Sequence, residues 1–409
     1  MTNQTFFERA AFFLTFGSAV SVLFSIAVCH TLMALALAAL LLSGEKLRFP
    51  PLKLPLGLFL LGTILSLAFS ADPAAGRPQL RKFFVFLTLL LIYGTFRQLR
   101  HIRWLVIAWA GAATLSAGFG LIQFSGKYEQ ARLLGVPFYQ YYVADRITGF
   151  MSHWMTFGGQ IMITALLLAA FLLFSDTARR QRWLGLFCAL VLAAAIVLGF
   201  TRSIWLGTGA GGLYLLWFWR RKLILLLPVI LAAALWLGPN SLRERFTSLV
   251  RPHGELDSNE HRIVTWRTGW EILKAHPWLG IGPELIKEHF NEYVPTDVPR
   301  PLPEGWYGHL HNIYLHYAAE RGIPTTLALL WLFGKILFDF RRALRRRAPP
   351  GVTYILHGAV AVLIGILVEG LFELNLGDTE VLTMFLAVVA CGYAALDHIH
   401  DGRATEAGA

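Results

Sequence analysis

The stretch from Ala10 to Gly44, AAFFLTFGSAVSVLFSIAVCHTLMALALAALLLSG, decides the fold class. It runs for 35 residues without a formally charged side chain. At about 1.5 Å per helical residue this exceeds one bilayer crossing, so it predicts two membrane helices. It carries no small-residue cleavage site and does not read as a cleavable signal. The rest of the chain has the same character. Hydrophobic residues make up 56% of the 409 and charged residues 15%, where an ordinary soluble protein carries roughly 25%. A soluble enzyme, a fibrous protein and a disordered chain are excluded. Apolar runs near 20 residues, not alternating runs of about 10, exclude an outer-membrane barrel. The fold class is therefore an all-α polytopic membrane protein.

Twelve crossings are predicted, at 7–25, 26–43, 55–70, 80–97, 102–124, 154–174, 183–200, 203–219, 222–238, 323–340, 353–372 and 379–397. With the N-terminus inside, the basic clusters at Lys46/Arg48/Lys53, Arg97/Arg100/Arg103, Arg179/Arg180/Arg182, Arg220/Arg221/Lys222 and Arg341–Arg347 all fall on the inner side. The net charge of +11 is thus topological and does not point to nucleic acid. Arg77, Arg81 and Lys82 break the pattern in a short outer loop. The chain divides into 1–238, with nine crossings and an outer loop at 125–153; a long polar loop region at 239–322; and 323–409, with three crossings and an inner tail. Both long loops carry basic residues on the outer side, which suits an anionic ligand at that face. Cys29, Cys188 and Cys391 lie in apolar segments and offer neither a disulfide framework nor a zinc motif. No internal repeat appears, which weighs against an inverted-repeat transporter.

Three polar constellations can carry chemistry. Gly308-His309-Leu310-His311-Asn312-Ile313-Tyr314-Leu315 is followed by Glu320-Arg321-Gly322-Ile323-Pro324, which predicts a helix ending near Gly322 and a crossing opened by Pro324. His311 then stands at the outer start of that helix, where a neutral imidazole can accept a proton; a capping or packing histidine is the competing reading. A metal held by His309 and His311 lacks a carboxylate or cysteine at ligand spacing. The second constellation is Thr201-Arg202-Ser203. Its arginine sits at the outer membrane boundary, either snorkelling or gripping a phosphate. The third runs from Glu260 through Arg262, Trp266 and Arg267 to Pro277-Trp278-Leu279-Gly280-Ile281-Gly282. Ile263, Trp266, Trp270 and Leu273 follow helical spacing and predict an amphipathic outer helix from which Arg262 and Arg267 project. Glu369, Glu373, Asp378 and Glu380 cluster at the outer end of the eleventh crossing. Glu369 is the most embedded and is placed to orient a histidine or pair an arginine. The Asp378–Glu380 pair is a poor metal site.

Arg202-x-x-x-Leu206, Arg262-x-x-x-Trp266, Pro277-Trp278-Leu279-Gly280-Ile281-Gly282 and His311-Asn312-x-Tyr314-Leu315, with ten residues between His311 and Gly322, together resemble the O-antigen ligase and O-antigen polymerase superfamily. The motifs cover about 200–325. The resemblance implies a class C type glycosyltransferase of the Gram-negative inner membrane, working at the periplasmic face. It implies transfer of glycan from undecaprenyl diphosphate without nucleotide sugar, cofactor or metal. Read this way, His311 is the general base, Arg202 and Arg262 meet the diphosphate, and Arg267, Tyr314, Arg321 and Glu369 are substrate-binding candidates. The inclination is to ligase, with lipid A–core oligosaccharide as acceptor and lipopolysaccharide maturation as the process. A polymerase and a protein oligosaccharide transferase using the same donor are rivals. A flippase for lipid-linked sugar is the non-enzyme rival, but it calls for charges near the bilayer midplane, and here they lie at the outer ends of crossings.

Overall fold

The computed structural model describes residues 5–248, 259–346 and 349–407. Residues 249–258 of the long polar loop, and Arg347 of the last basic cluster, lie outside the described residues. Among the described residues all regular structure is helical: α1 Phe6–Ser21, α2 Ile26–Leu42, α3 Lys53–Ala68, α4 Arg77–Arg81, α5 Leu87–Thr95, α6 Leu99–Leu134, α7 Phe138–Ala144, α8 Trp154–Phe174, α9 Arg179–Leu198, α10 Arg202–Arg220, α11 Leu227–Leu237, α12 Asn240–Thr247, α13 Asn259–Ala275, α14 Ile286–His289, α15 Ile313–Arg345, α16 Pro350–Glu369 and α17 Thr379–Ala407. The opening apolar stretch does form two helices. Thr5 caps α1 by accepting from the Glu8 amide at 3.3 Å, and Ser25 caps α2 by accepting from Val28 at 3.4 Å.

Among the described residues six helices are long and apolar enough to span a bilayer: α6, α8, α9, α15, α16 and α17. The shorter α2 and α3 are apolar as well. The protein is therefore an α-helical polytopic membrane protein. Helices α8, α16 and α17 form the middle, with 72%, 72% and 78% of their apolar windows buried, against 22% for α9 at the edge.

Small residues draw α10 onto α16. A Cβ at Gly207 would stand 2.7 Å from the Gly365 carbonyl, and one at Gly211 would stand 2.7 Å from that of Ala361. This contact sets the Arg202 end of α10 beside the end of α16 that leads to Glu373.

Helix α15 breaks where the sequence places the break. Gly322 leaves the helix with φ 78° and ψ 166°, and Pro324 follows. The interruption strands two carbonyls, because Ile323 turns its amide away and Pro324 has none. The Pro277–Gly282 segment meets each demand. Ile323 donates to the Pro277 carbonyl at 2.8 Å, Ile281 donates to Ala319 at 3.0 Å, and Gly282 donates to Glu320 at 2.9 Å. Both glycines of the contact are obligatory: a Cβ on Gly280 would stand 2.2 Å from the Glu320 backbone, and one on Gly322 would stand 2.0 Å from the Trp278 carbonyl. The Gly-x-Gly element is thus a brace for the broken helix.

The polar region has its own small core, including Val264, Ile272, Leu285, Phe290 and Leu310. Here one expectation is corrected. The face of α13 that packs inward is His261, Val264, Thr265, Thr268, Gly269 and Ile272, whereas Ile263 and Trp270 are each 56% exposed. Close approach decided the face: Gly269 lies so near Leu310 that a Cβ would stand 2.4 Å from its methyl group. The bulky aromatic stripe cannot enter that gap.

Candidate functional site

A cavity of about 960 Å³ opens where α7, α10, α12, α13, α15 and the α16–α17 connection converge. Six cations line it: Lys82, Arg146, Arg202, Arg245, Arg262 and Arg321. Three carboxylates stand against them: Glu284, Glu373 and Asp378. With the histidines neutral the lining is cationic, as an anionic ligand requires.

His311 is placed by the start of α15. Asn312 caps the helix, its side-chain oxygen accepting from the Tyr314 amide at 3.0 Å and the Leu315 amide at 2.9 Å. The same turn is tied to the end of α16. Ile313 donates to the Gly370 carbonyl at 2.8 Å, and Asn312 Nδ2 donates to Leu371 at 3.0 Å. Glu373, just past α16, therefore lies beside His311 although 62 residues separate them. Glu373 Oε2 meets His311 Nδ1 at 2.9 Å, and its Oε1 accepts from Arg262 at 2.5 Å. Burial pushes the Glu373 carboxyl up, but the His311 hydrogen bond and the His311 and Arg262 charges outweigh it and bring it down to about 2. An ionised carboxylate is acceptor only, so His311 donates from Nδ1. Its Nε2 is buried and makes no hydrogen bond among the described residues.

His311 sits in the left-handed region at φ 48°. Among the described residues the only other non-glycine residues there are Glu284, which lines the same cavity, and Phe200, two residues before Arg202. Strain of this kind persists where surrounding contacts over-determine the backbone, and it gathers at working sites.

Arg202, 7% exposed, opens α10. Its guanidinium donates to the Ser248 carbonyl at 2.8 Å and to Asn259 Oδ1 at 2.6 Å. Arg245 of α12 donates to the Phe200 carbonyl at 2.7 Å and reaches the Tyr139 hydroxyl at 3.4 Å. Arg321, 4% exposed, lies over the Tyr317 and Phe59 rings and donates to Gln79 at 3.1 Å. Arg146 lies over Trp154, 5.2 Å from the ring centroid, and bonds the Val143 carbonyl at 3.2 Å. It has no carboxylate partner among the described residues. Burial, with the nearby charges of Arg245 and Arg262, lowers its guanidinium to about 9.

Of the residues singled out in the sequence, the cavity brings together His311, Arg202, Arg262 and Arg321. Arg267 projects from another side of α13 and forms a bidentate pair with Asp297, at 2.7 Å to both oxygens, in an exposed position. Tyr314 spends its hydroxyl on the Leu367 carbonyl at 2.7 Å. Glu369 is fully buried, one helical turn before Glu373, and does not line the cavity. Asp378 accepts from Thr156 at 2.8 Å, and burial raises its carboxyl.

The sequence reading missed Arg146, Arg245 and the bridging part of Glu373. Arg146 and Lys82 did leave a signal, as basic residues in outer loops where the topology rule asks for none. Arg245 left none. The His309–His311 pair also looks different in three dimensions. With Glu373 it forms a trio whose ligand atoms lie within 4.8 Å of one another. The carboxylate missing from the local spacing comes from beyond α16, but it is already engaged by a guanidinium and an imidazole. Burial lowers His309 to about 3 and His261 to about 4, with His311 adding to both, so these two neighbours stay neutral.

A comparison with curated proteins finds no match for this chain. Residues 187–330 match the family model described as O-antigen ligase. The match runs from α9 into α15 beyond the Gly322 break, and so includes Arg202, Arg262, His311 and the brace at Pro277–Gly282. The segment that carries Arg202, Arg262 and His311 is thus similar to the O-antigen ligase family.

Proposed function

We propose that the protein is an inner-membrane glycosyltransferase that moves O-antigen glycan from undecaprenyl diphosphate onto lipid A–core oligosaccharide, with its cavity facing the periplasm. The observation that carries the reading is the Arg262–Glu373–His311 chain set in a cationic cavity. It unites the two things such a transfer needs, a base with a free nitrogen and fixed positive charge.

The acceptor hydroxyl gives its proton to His311 Nε2 while Glu373 holds the Nδ1–H. The freed oxygen attacks the anomeric carbon of the donor from the face opposite the diphosphate. The new C–O bond forms as the bond from that carbon to the diphosphate oxygen breaks, with inversion. The departing charge is met by arginines already oriented, Arg202 and Arg262 foremost and Arg146 beside them. Preorganised cations cost no rearrangement at the moment of reaction. Neither a protein nucleophile nor a metal enters the scheme. The outer placement of this cavity is supported by the loop charges, which favour an inner N-terminus.

The test is reconstitution with lipid-linked glycan and lipid A–core in the presence of a chelator, products resolved on a gel. Transfer onto lipid A–core supports the reading. A ladder built without lipid A–core makes the protein a polymerase. Dependence on magnesium or manganese overturns the arginine scheme.

A further inference from the structure

Phe59, Phe83, Phe86, Trp154, Trp306 and Tyr317 line the cavity, and among these described residues only Trp306 is exposed, at 56%. It is nevertheless held in place. A Cβ on Gly308 would stand 2.4 Å from the indole Nε1, so the ring rests directly on that glycine. Lys287 Nζ lies 4.9 Å from the ring centroid. The turn bearing Trp306 is also clamped to the site. Gly305 lies against His261, where a Cβ would stand 2.3 Å from the ring, and the His261 ring is 5.1 Å from that of His311. Trp306 therefore stands on the side of the base.

We propose that Trp306 is a stacking platform for a sugar ring of the acceptor. This rests on the glycan-transfer reading above and deepens it. An indole fixed at the rim of a polar cavity offers an apolar π-face to whatever enters. A pyranose has the matching form, an apolar C–H face bounded by hydroxyls. Its C–H groups pack on the ring while its hydroxyl edge stays free for hydrogen bonds. With the ring on Trp306, one hydroxyl is directed past His261 toward His311 Nε2. A serine or threonine of a peptide acceptor brings no such face and leaves the indole unused.

The experiment measures binding to the full-length chain in detergent. The probes are deacylated lipid A–core oligosaccharide, a serine-containing peptide and undecaprenyl diphosphate. Trp306→Phe keeps an aromatic face and is expected to bind the oligosaccharide within about threefold of the unmodified chain. Trp306→Leu and Trp306→Ala are expected to weaken it about tenfold, with undecaprenyl diphosphate bound normally by all three. Oligosaccharide binding by Trp306→Leu at the unmodified level overturns the platform, since an anchor in the membrane surface would tolerate leucine. Tighter binding of the peptide than of the oligosaccharide also overturns it. Failure of the unmodified chain to bind undecaprenyl diphosphate overturns the transfer reading itself, and the platform with it.

Discussion

The hydrogen bond between His311 Nδ1 and Glu373 Oε2, 2.9 Å long, decides which nitrogen of the imidazole carries the proton. Glu373 is ionised, so the proton sits on Nδ1 and the lone pair sits on Nε2.

Glu373 is therefore a positioning residue. Glu373→Gln removes the charge that fixes this tautomer and leaves Arg262 without its ionic partner. Turnover is expected to fall by roughly 100-fold, the scale of a lost base. A structural role alone would not be rescued by charge; here Glu373→Asp, which keeps the carboxylate, should recover part of the turnover that Glu373→Gln loses. The double variant with His311→Ala should be no worse than His311→Ala alone.

His311 and Arg202 are expected to fail differently. His311→Ala should cost roughly 100-fold in single-turnover rate while donor binding holds. Arg202→Ala should weaken undecaprenyl diphosphate binding as well as turnover. Arg202→Lys should recover part of each, since an ammonium keeps charge and loses the fork. Equal loss of donor binding in His311→Ala would make His311 a phosphate ligand instead.

Arg146 trades stability for binding. Its guanidinium is lowered to about 9 by burial and by Arg245 and Arg262, so the folded protein pays to hold it charged. Arg146→Met keeps an apolar stem on Trp154. It is expected to raise the thermal midpoint and to weaken diphosphate binding about tenfold. A lowered midpoint with unchanged binding would show that the charge serves packing.

Acid should loosen the polar region before it removes the Glu373 charge. His261 and His309 titrate from 6.5 in the unfolded chain to about 4 and about 3 when folded. Between those values the unfolded chain binds protons that the folded chain does not. Stability is thus complete above pH 6.5 and declines as pH falls toward 4. Thermal midpoints measured from pH 7.5 to 4.5 should drop, and His309→Asn should flatten the drop.

Arg267 serves as a control. Its pair with Asp297 is exposed, a setting in which such pairs contribute little. Arg267→Ala should leave donor binding and turnover within about twofold. A loss matching that of Arg262→Ala would mean the working face of α13 is the other one.

Much of this protein is fixed by local order. The uncharged run from Ala10 to Gly44 forces two helices, because backbone polar groups in a bilayer must bond within their own segment. Gly322 followed by Pro324 interrupts the helix, and Asn312 caps its start. His311, Arg202 and Arg262 stood out because charge or a titratable ring at a membrane boundary is costly without a use. Other features depend on contacts between distant segments. Glu373 meets His311 only because Gly370 lets α15 close on α16, where a Cβ would stand 2.7 Å from Ile313. Arg146 and Arg245 reach the cavity through the packing of the segments that follow α7 and form α12. The face of α13 was settled by Gly269 against Leu310 and not by its aromatic stripe. The Gly280 and Gly282 pair braces the broken α15, a role set by which carbonyls the break leaves open. Helix and span follow from a residue's neighbours in sequence. Partners across 62 residues follow from packing, which no spacing along the chain encodes.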